Sequence, residues 1–311
     1  MTPWQTYISL IPETSLAGST TGDVLPIRGQ TKISWQPILE GGLEKVGVWR
    51  LPIADNWSRR FGAGAIEMEY SHTETTRRMI DSLFGLVSAV AGGGGTTIYA
   101  YRPHRLEARQ SFQIDVSKQT AGPHYRFKGC VMEALTLSVR RTEAIKLRWE
   151  FKFVMKETFG GAVPSFTNNP GHKLVTHQAG TLAVNTVAMS EAVEFSARFQ
   201  NAIVPAGFTS STKVPTKFTP AARFDFGGDI VEFERDASTI PGFVHSQTVV
   251  PMSYTLALPS SRQFKVDWPR IIFRAGQPDA LALGDNPYRA SFDGQHQEDI
   301  GGTEPLILFV I

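Results

Sequence analysis

The sequence predicts a mainly β protein made of two related halves, on three observations. A long run alternates Phe127, Gly129, Val131, Glu133, Leu135, Leu137 and Val139 with Lys128, Cys130, Met132, Ala134, Thr136, Ser138 and Arg140. After Arg141-Thr142 it resumes, with Ile145, Leu147, Trp149, Phe151, Phe153 and Met155 against Lys146, Arg148, Glu150 and Lys152. A period of two over two runs joined by a short turn is a β-hairpin with one buried face. Second, a similar pattern returns at Val250 to Trp268, where Tyr254-Thr255-Leu256 echoes Leu135-Thr136-Leu137 at an offset of 119 (254 − 135 = 119). Third, the 311 residues hold 20 Phe, 28 Gly and 19 Pro but only 19% charged residues, a composition rich in strand and turn formers. A long hairpin made twice points to two related β domains, and towards assembly rather than catalysis.

In chain order, Met1 to Gln30 reads as an extended arm with one strand near Thr6 to Ile11. Gln36 to Ala65, with Gly41-Gly42, Pro52, Trp49 and Trp57, reads as a long loop of the kind that carries function or an interface. Ala65 to Ser71 alternates Ile66, Met68 and Tyr70 against Glu67 and Glu69 as a strand. Ser71 to Glu74 has the capping-box spacing, and Met79, Ile80, Leu83, Phe84, Val87 and Val90 recur at helical period, which predicts a helix near 74–91 stopped by Gly92 to Gly95. Thr96 to Tyr101 and Arg109 to Ser117 read as strands leading into the hairpin. Phe159 to Asn185, with Gly160-Gly161 and Asn168-Asn169-Pro170-Gly171, reads as a linker. The expected division is therefore a first domain over 1–160, a linker over 161–190 and a second domain over 191–311. The second opens on Val193, Phe195, Ala197 and Phe199, and Asn201 to Pro220 is a second long loop. Val231-Glu232-Phe233-Glu234 matches Ile66-Glu67-Met68-Glu69 in character. No helix is evident in this half. Strands near Tyr288 to Phe292 and Pro305 to Val310 close the chain.

With 31 basic and 29 acidic residues, the net charge of +2 is too balanced for bulk attraction to nucleic acid. The single Cys130 excludes an internal disulfide and a multi-cysteine metal site, and its place in a strand makes it a packing residue. No basic segment followed by an apolar run opens the chain, which predicts no signal peptide. No apolar stretch approaches ~20 residues, which predicts no membrane helix. A membrane β-barrel also alternates, but needs an export leader of that kind.

Candidate chemistry is sparse. Glu67 with Glu69, and Glu232 with Glu234, place paired carboxylates ~6.5 Å apart by strand rise, within the ~5 to 10 Å that a glycosidase uses. Neighbours projecting in parallel seldom clasp a bond from both sides, so a solvated acidic face is the plainer reading. Gly92 to Gly95 lacks the lysine of a phosphate loop and follows a helix instead of opening one. Asp225-Phe226-Gly227 spells a kinase triplet without the accompanying motifs. His172 and His177 have no acidic residue between them at metalloprotease spacing. No Gly-x-Ser-x-Gly elbow is present. These readings predict no enzyme, cofactor or metal. Lys146, Arg148, Glu150 and Lys152 form a mixed polar stripe, as do Arg140 and Arg141 at the turn, suited to solvent, a neighbouring subunit or DNA. Trp49, Trp57, Phe208 and Phe218, aromatics in expected loops, are candidate interface anchors.

Arg126 to Leu137, followed by a turn and a second alternating strand ending near Phe159-Gly160-Gly161, resembles the late hairpin of major tail tube proteins of long, non-contractile-tailed bacteriophages. The acidic strand Ile66 to Tyr70 running into a helix is similar too. The resemblance covers most of 31–160 and, more weakly, 191–311. It implies two tandem β-sandwich or half-barrel domains, the first with one flanking α-helix. Six such domains would form a ring whose inner sheets join into one barrel, so that two-domain chains assemble as homotrimers of pseudo-sixfold symmetry, with a hexamer as the variant. Stacked rings would make a tube that conducts DNA, contacts a tape measure protein in its lumen and meets other tail proteins at its ends. The location implied is the virion tail, assembled in the host cytoplasm, with no membrane partner. The family's lumen is often acidic, which makes Glu67, Glu69, Glu232 and Glu234 lumen candidates. Trp49, Trp57, Phe208 and Phe218 would lie in the ring-stacking loops. The alternatives are a tail terminator or baseplate ring protein of the same fold and, from another class, an all-β carbohydrate-binding module or glycosidase.

Overall fold

The computed structural model describes residues 7–13, 23–24, 32–46, 49–102, 109–117, 124–141, 143–159, 175, 180–189, 192–208, 215–233, 240–278, 287–294 and 306–311. The first half runs β1 Tyr7–Glu13, β2 Asp23–Val24, β3 Lys32–Val46, β4 Trp49–Glu69, α1 Glu74–Phe84, β5 Leu86–Ala91, β6 Thr97–Tyr101, β7 Ser111–Ser117, β8 His124–Arg140, β9 Lys146–Phe153 and β10 Met155–Phe159. The second runs β11 Gly180–Val184, β12 Val187–Ala188, β13 Ala192–Phe208, β14 Pro215–Phe233, α2 Ile240–Ser246, β15 Val250–Ala257, β16 Gln263–Pro278, β17 Pro287–Gly294 and β18 Leu306–Val310. The protein is mainly β and its strand pairs are antiparallel, as expected.

A central sheet has the order β3-β4-β9-β8-β13-β14-β17-β16. A second layer flanks it in each half: β2-β1-β7-β8-β10 in the first, and β12-β11-β15-β16-β18 in the second. Strands β8 and β16 are long enough to serve both layers. Between the layers lies the core. Phe127 of the flanking layer meets Phe153 of the central sheet at 4.9 Å between ring centroids, and Tyr254 meets Phe195 at 5.4 Å.

The two halves repeat strand for strand. Strands β1 to β4, α1 and β7 to β10 correspond in order and pairing to β11 to β14, α2 and β15 to β18. Cys130 opposite Phe112 matches Ile271 opposite Val250 (271 − 130 = 141). Met132 opposite Phe151 matches Phe273 opposite Phe292 (273 − 132 = 141, 292 − 151 = 141). Gly64 opposite Phe151 matches Gly228 opposite Phe292 (228 − 64 = 164), and Ser34 opposite Ala65 matches Ser196 opposite Asp229 (196 − 34 = 162). The echo at an offset of 119 is therefore corrected: Tyr254 lies in β15, the counterpart of β7, not of β8.

Other expectations are corrected too. The hairpin run does not alternate without interruption. A register shift between Phe112 and Ile114 in the β7·β8 pair, and another between Met132 and Ala134 in β8·β9, reset the faces. Such bulges put an extra residue on one strand, and here they turn Cys130 and Met132 inward. The expected loops at 36–65 and 201–220 are instead the long hairpins β3–β4 and β13–β14, with register shifts at Glu40/Gly41 and Asn201/Ile203. Part of the expected linker is β11, paired with β15 from Gly180 opposite Leu256 to Val184 opposite Met252.

Helix α1 starts at Glu74, as expected, with its N-cap two residues after the Ser71 of the capping-box spacing. Thr73 is the N-cap, its hydroxyl accepting from the Thr76 N–H, while the Thr76 hydroxyl donates to Ser71 O at 2.7 Å. It ends at Phe84, where Gly85 takes φ 78° and donates its N–H to Asp81 O at 2.9 Å. Val87 and Val90 thus belong to β5, not to the helix. The second half does contain a helix, α2, whose Phe243 stacks on Phe273 of β16. What it lacks is a counterpart of the β5–β6 hairpin. The first half's own hairpin lies instead on β18, from Tyr101 opposite Ile307 to Ile98 opposite Val310.

Candidate functional site

The halves meet along β8 and β13, and this joint positions everything that follows. Seven residue pairs join them, from Glu194 opposite Arg140 to Gln200 opposite Ala134. Alternation buries Phe195, Ala197 and Phe199 of β13 and Leu135, Leu137 and Val139 of β8 on the core side. The same alternation sends Arg140, Ser138 and Thr136, with Glu194, Ser196 and Arg198, to the open face. The central sheet is thus continuous across the two halves, with a polar face exposed on both sides of the joint.

That face is a lattice of ion pairs between strands. Arg148 Nη1 donates to Glu67 Oε1 at 2.6 Å, and its Nε lies 3.3 Å from Glu150 Oε1. Arg198 Nη2 reaches across β8 to Glu150 Oε2 at 2.9 Å, and Arg140 Nε lies 3.2 Å from Glu194 Oε1, so two pairs cross the joint. Lys146 pairs with Glu143 at 2.6 Å, Lys152 with Glu133 at 2.7 Å and Arg274 with Asp293 at 3.1 Å. Lys146, helped by Arg140, holds the Glu143 carboxyl below its ordinary range. Exposed pairs of this kind contribute little to stability, because water and salt screen them. Their larger consequence is local neutrality: each of these carboxylates sits beside a cation.

The face carries two shallow concavities at corresponding places. One, of about 640 Å³, is lined by Ser196, Gly228, Asp229, Arg274, Ser291 and Asp293 among others. The other, of about 350 Å³, is lined by Ser34, Gly64, Ala65, Glu133, Arg148 and Glu150 among others. Ser34, Gly64 and Ala65 are the counterparts of Ser196, Gly228 and Asp229. Among the described residues no group of three His, Cys, Asp or Glu side chains is placed to hold a metal ion.

The sequence-predicted site residues are scattered by this geometry. Glu67 is on the open face, paired with Arg148. Glu69 is half-buried, with Oε2 enclosed. Glu232 is corrected: it faces the core side, 3% exposed. The counterpart of Glu67 is Val231 (231 − 67 = 164), so the sequence match of these strands was one residue out of step, and a one-residue slip inverts the faces. Glu234 lies outside the described residues. Trp49 and Trp57 are strand positions of β4, opposite Val46 and Gly41, and Phe208 is a strand position of β13, opposite Pro215. Phe218 is buried with Phe61, Val131, Val154 and Ile203, its ring edge-on to Phe61 at 6.1 Å. It ties one long hairpin to the base of the other instead of standing free.

Sequence reasoning missed a second junction between the halves. His72, just after β4, is hydrogen-bonded to Val310 O through Nε2 at 2.6 Å and to the Tyr70 hydroxyl through Nδ1 at 2.7 Å. Since the carbonyl can only accept, Nε2 carries the proton and Nδ1 accepts from Tyr70. The imidazole stacks on Phe309 at 4.0 Å, and burial pushes its pKa down to about 4. Nearby, Arg77 is held by Glu74, Asp81 and the Tyr101 hydroxyl, over the Tyr99 ring. Glu74 and Asp81 stand at helical spacing from Arg77, but no spacing in the sequence advertises the contact of His72 with Val310, 238 residues away.

The outermost strands of the central sheet are β3 and the end of β16. Among the described residues β3 pairs only with β4, and 275–278 of β16 pair only with β17. These are the counterparts of the two strands that meet in the joint: β3 of β13, and β16 of β8. No protein-family model matches this chain, and no curated protein matches it.

Proposed function

We propose that the protein is a structural subunit of a viral tail tube, polymerising without a cofactor into stacked rings around a DNA-conducting channel. The observation that carries this reading is the repeat itself. The chain joins two like units edge to edge and leaves, at its outer ends, the same two kinds of edge that it joins internally. A further copy placed as the second half is placed relative to the first would continue the sheet, and a closed ring leaves no open strand in the central sheet, which is how sheet proteins avoid uncontrolled pairing. The two units per chain are tandem tail-tube-like sandwich domains in this reading, and three copies supply the six units of a pseudo-sixfold ring. The open face with its ion-pair lattice lines the channel, where DNA and a tape measure protein pass without sequence-specific contacts. The long hairpins β3–β4 and β13–β14 carry the ring-to-ring contacts, and other tail proteins cap the ends. The site of action is the virion tail, after assembly in the host cytoplasm.

Electron microscopy and particle-mass measurement of the purified protein test this. Rods of stacked rings, with a smallest ring of three copies, are expected. Rings that never stack would make it a tail terminator or baseplate ring component, and a strict monomer at high concentration would overturn the reading.

A further inference from the structure

We infer that the joint between copies is weaker than the joint within the chain because a proline blocks it from each side, so that copies assemble only above a raised concentration threshold. This inference rests on the reading just given. Its basis is the direction of the backbone groups in β8. The Arg141 N–H donates to Val193 O across the joint at 3.0 Å. In an antiparallel ladder alternate residues direct both N–H and C=O to the same neighbour, so Leu137 and Leu135 also face β13. Their partners there are Ala197 and Phe199. Each of these two pairs therefore exchanges both hydrogen bonds.

The repeat offsets carry these four positions to the open edges. Leu135 and Leu137 become Gly276 and Pro278 (135 + 141 = 276, 137 + 141 = 278), and Ala197 and Phe199 become Trp35 and Pro37 (197 − 162 = 35, 199 − 162 = 37). In a copy-to-copy joint of the same register, Trp35 stands opposite Pro278 and Pro37 opposite Gly276. Proline has no N–H, so each pair keeps one bond where the internal joint has two. Proline in a sheet is tolerated where its nitrogen faces an open edge, and both prolines meet that condition without disturbing the pairing of β3 with β4 or of β16 with β17. The same register removes charge. Arg198, which reaches Glu150 across the internal joint, is replaced by Gln36, and Glu150 by Ser291 (198 − 162 = 36, 150 + 141 = 291). The joint between copies thus has neither that ion pair nor the complete ladder.

The test is Pro37→Val, Pro278→Leu and the double variant, with the threshold concentration for assembly read by light scattering and sedimentation. A restored bond should lower the threshold about fivefold, and both together about thirtyfold, as ~1 kcal/mol net per bond requires. Circular dichroism and the unfolding midpoint establish that each variant folds, and Pro37→Val alone suffices if Pro278→Leu does not. Wild-type assembly with an unchanged or raised threshold in the folded variants overturns the inference and leaves the tube reading standing. If neither wild type nor variants assemble at any attainable concentration, both fall together.

Discussion

The two halves differ most instructively where each places a ring over a bare Cα. At one level of the sheet they agree. Gly64 of β4 lies under Phe151 of β9, and Gly228 of β14 lies under Phe292 of β17, at corresponding positions. One level along, they exchange roles. In the first half Gly62 lies under the ring of Phe153, and in the second Phe226 lies over Gly294, with glycine and aromatic swapped between the paired strands (62 + 164 = 226, 153 + 141 = 294). An aromatic ring covering a cross-strand glycine fills the space that a Cβ would otherwise take. The comparison teaches that the fold requires one ring and one vacant position per pair, and is indifferent to which strand supplies which.

That claim is most exposed to a swap experiment. Phe153→Gly should cost about 4 kcal/mol by removing a buried ring. Adding Gly62→Phe should recover at least half of this, because it rebuilds the arrangement of the second half. Denaturant unfolding of both single variants and the double measures the coupling, and additivity would refute the equivalence. Next in size, Gly228→Ala should destabilise by about 3 kcal/mol, since the new Cβ meets the Ser196 carbonyl and the Phe292 ring, and backbone must move. Gly64→Ala should behave alike, its Cβ lying 2.5 Å from Phe151 Cζ and 2.7 Å from Ser34 O. Gly242→Ala, with open space around it, is the control, and equal losses at all three sites would break the comparison.

The junction at His72 belongs to only one half-to-half contact and sets a pH limit. Unfolded, this histidine binds a proton near pH 6.5; folded, burial delays protonation to about 4. Between those values the unfolded chain holds the extra proton, so stability falls as pH drops from 6.5 towards 4, by about 2 kcal/mol. Glu13, raised by burial, acts in the opposite sense, because the folded chain takes up its proton first. The check is therefore a difference: wild type minus His72→Gln, measured by urea midpoints at pH 7 and 4.5. A flat difference would remove His72 from the junction's pH dependence. Smallest of all, Arg198→Ala should change stability by under ~1 kcal/mol, and less still in high salt, since the pair it breaks is half-exposed. A large, salt-independent loss would mean that the lattice, not the core beneath it, holds the halves together.

Much of this fold is legible in alternation and turn residues. The strands at Thr97–Tyr101, Ser111–Ser117, Pro287–Gly294 and Leu306–Val310 are where the sequence puts them. The repeat is legible as well, but its offset is not. Displacements of 119 and 141 differ by an even number (141 − 119 = 22), so a period of two satisfies both equally. The first long hairpin was hidden by Gly41-Gly42 and Pro52, which read as loop signals and instead occupy a bulge of β3 and a position of β4 opposite Leu43. The misplacement of Glu232 has the opposite cause, a slip of a single residue, which no composition of an acidic strand can reveal.

Alone, the order of residues determined that this chain makes sheets, where most strands fall, and that it does so twice, because side-chain periodicity is a local property of the backbone. Which strand meets which, in what register and with which face turned inward, was decided only in three dimensions. Bulges reset the count of two, and partners hundreds of positions apart, such as His72 and Val310, are chosen by packing rather than by pattern.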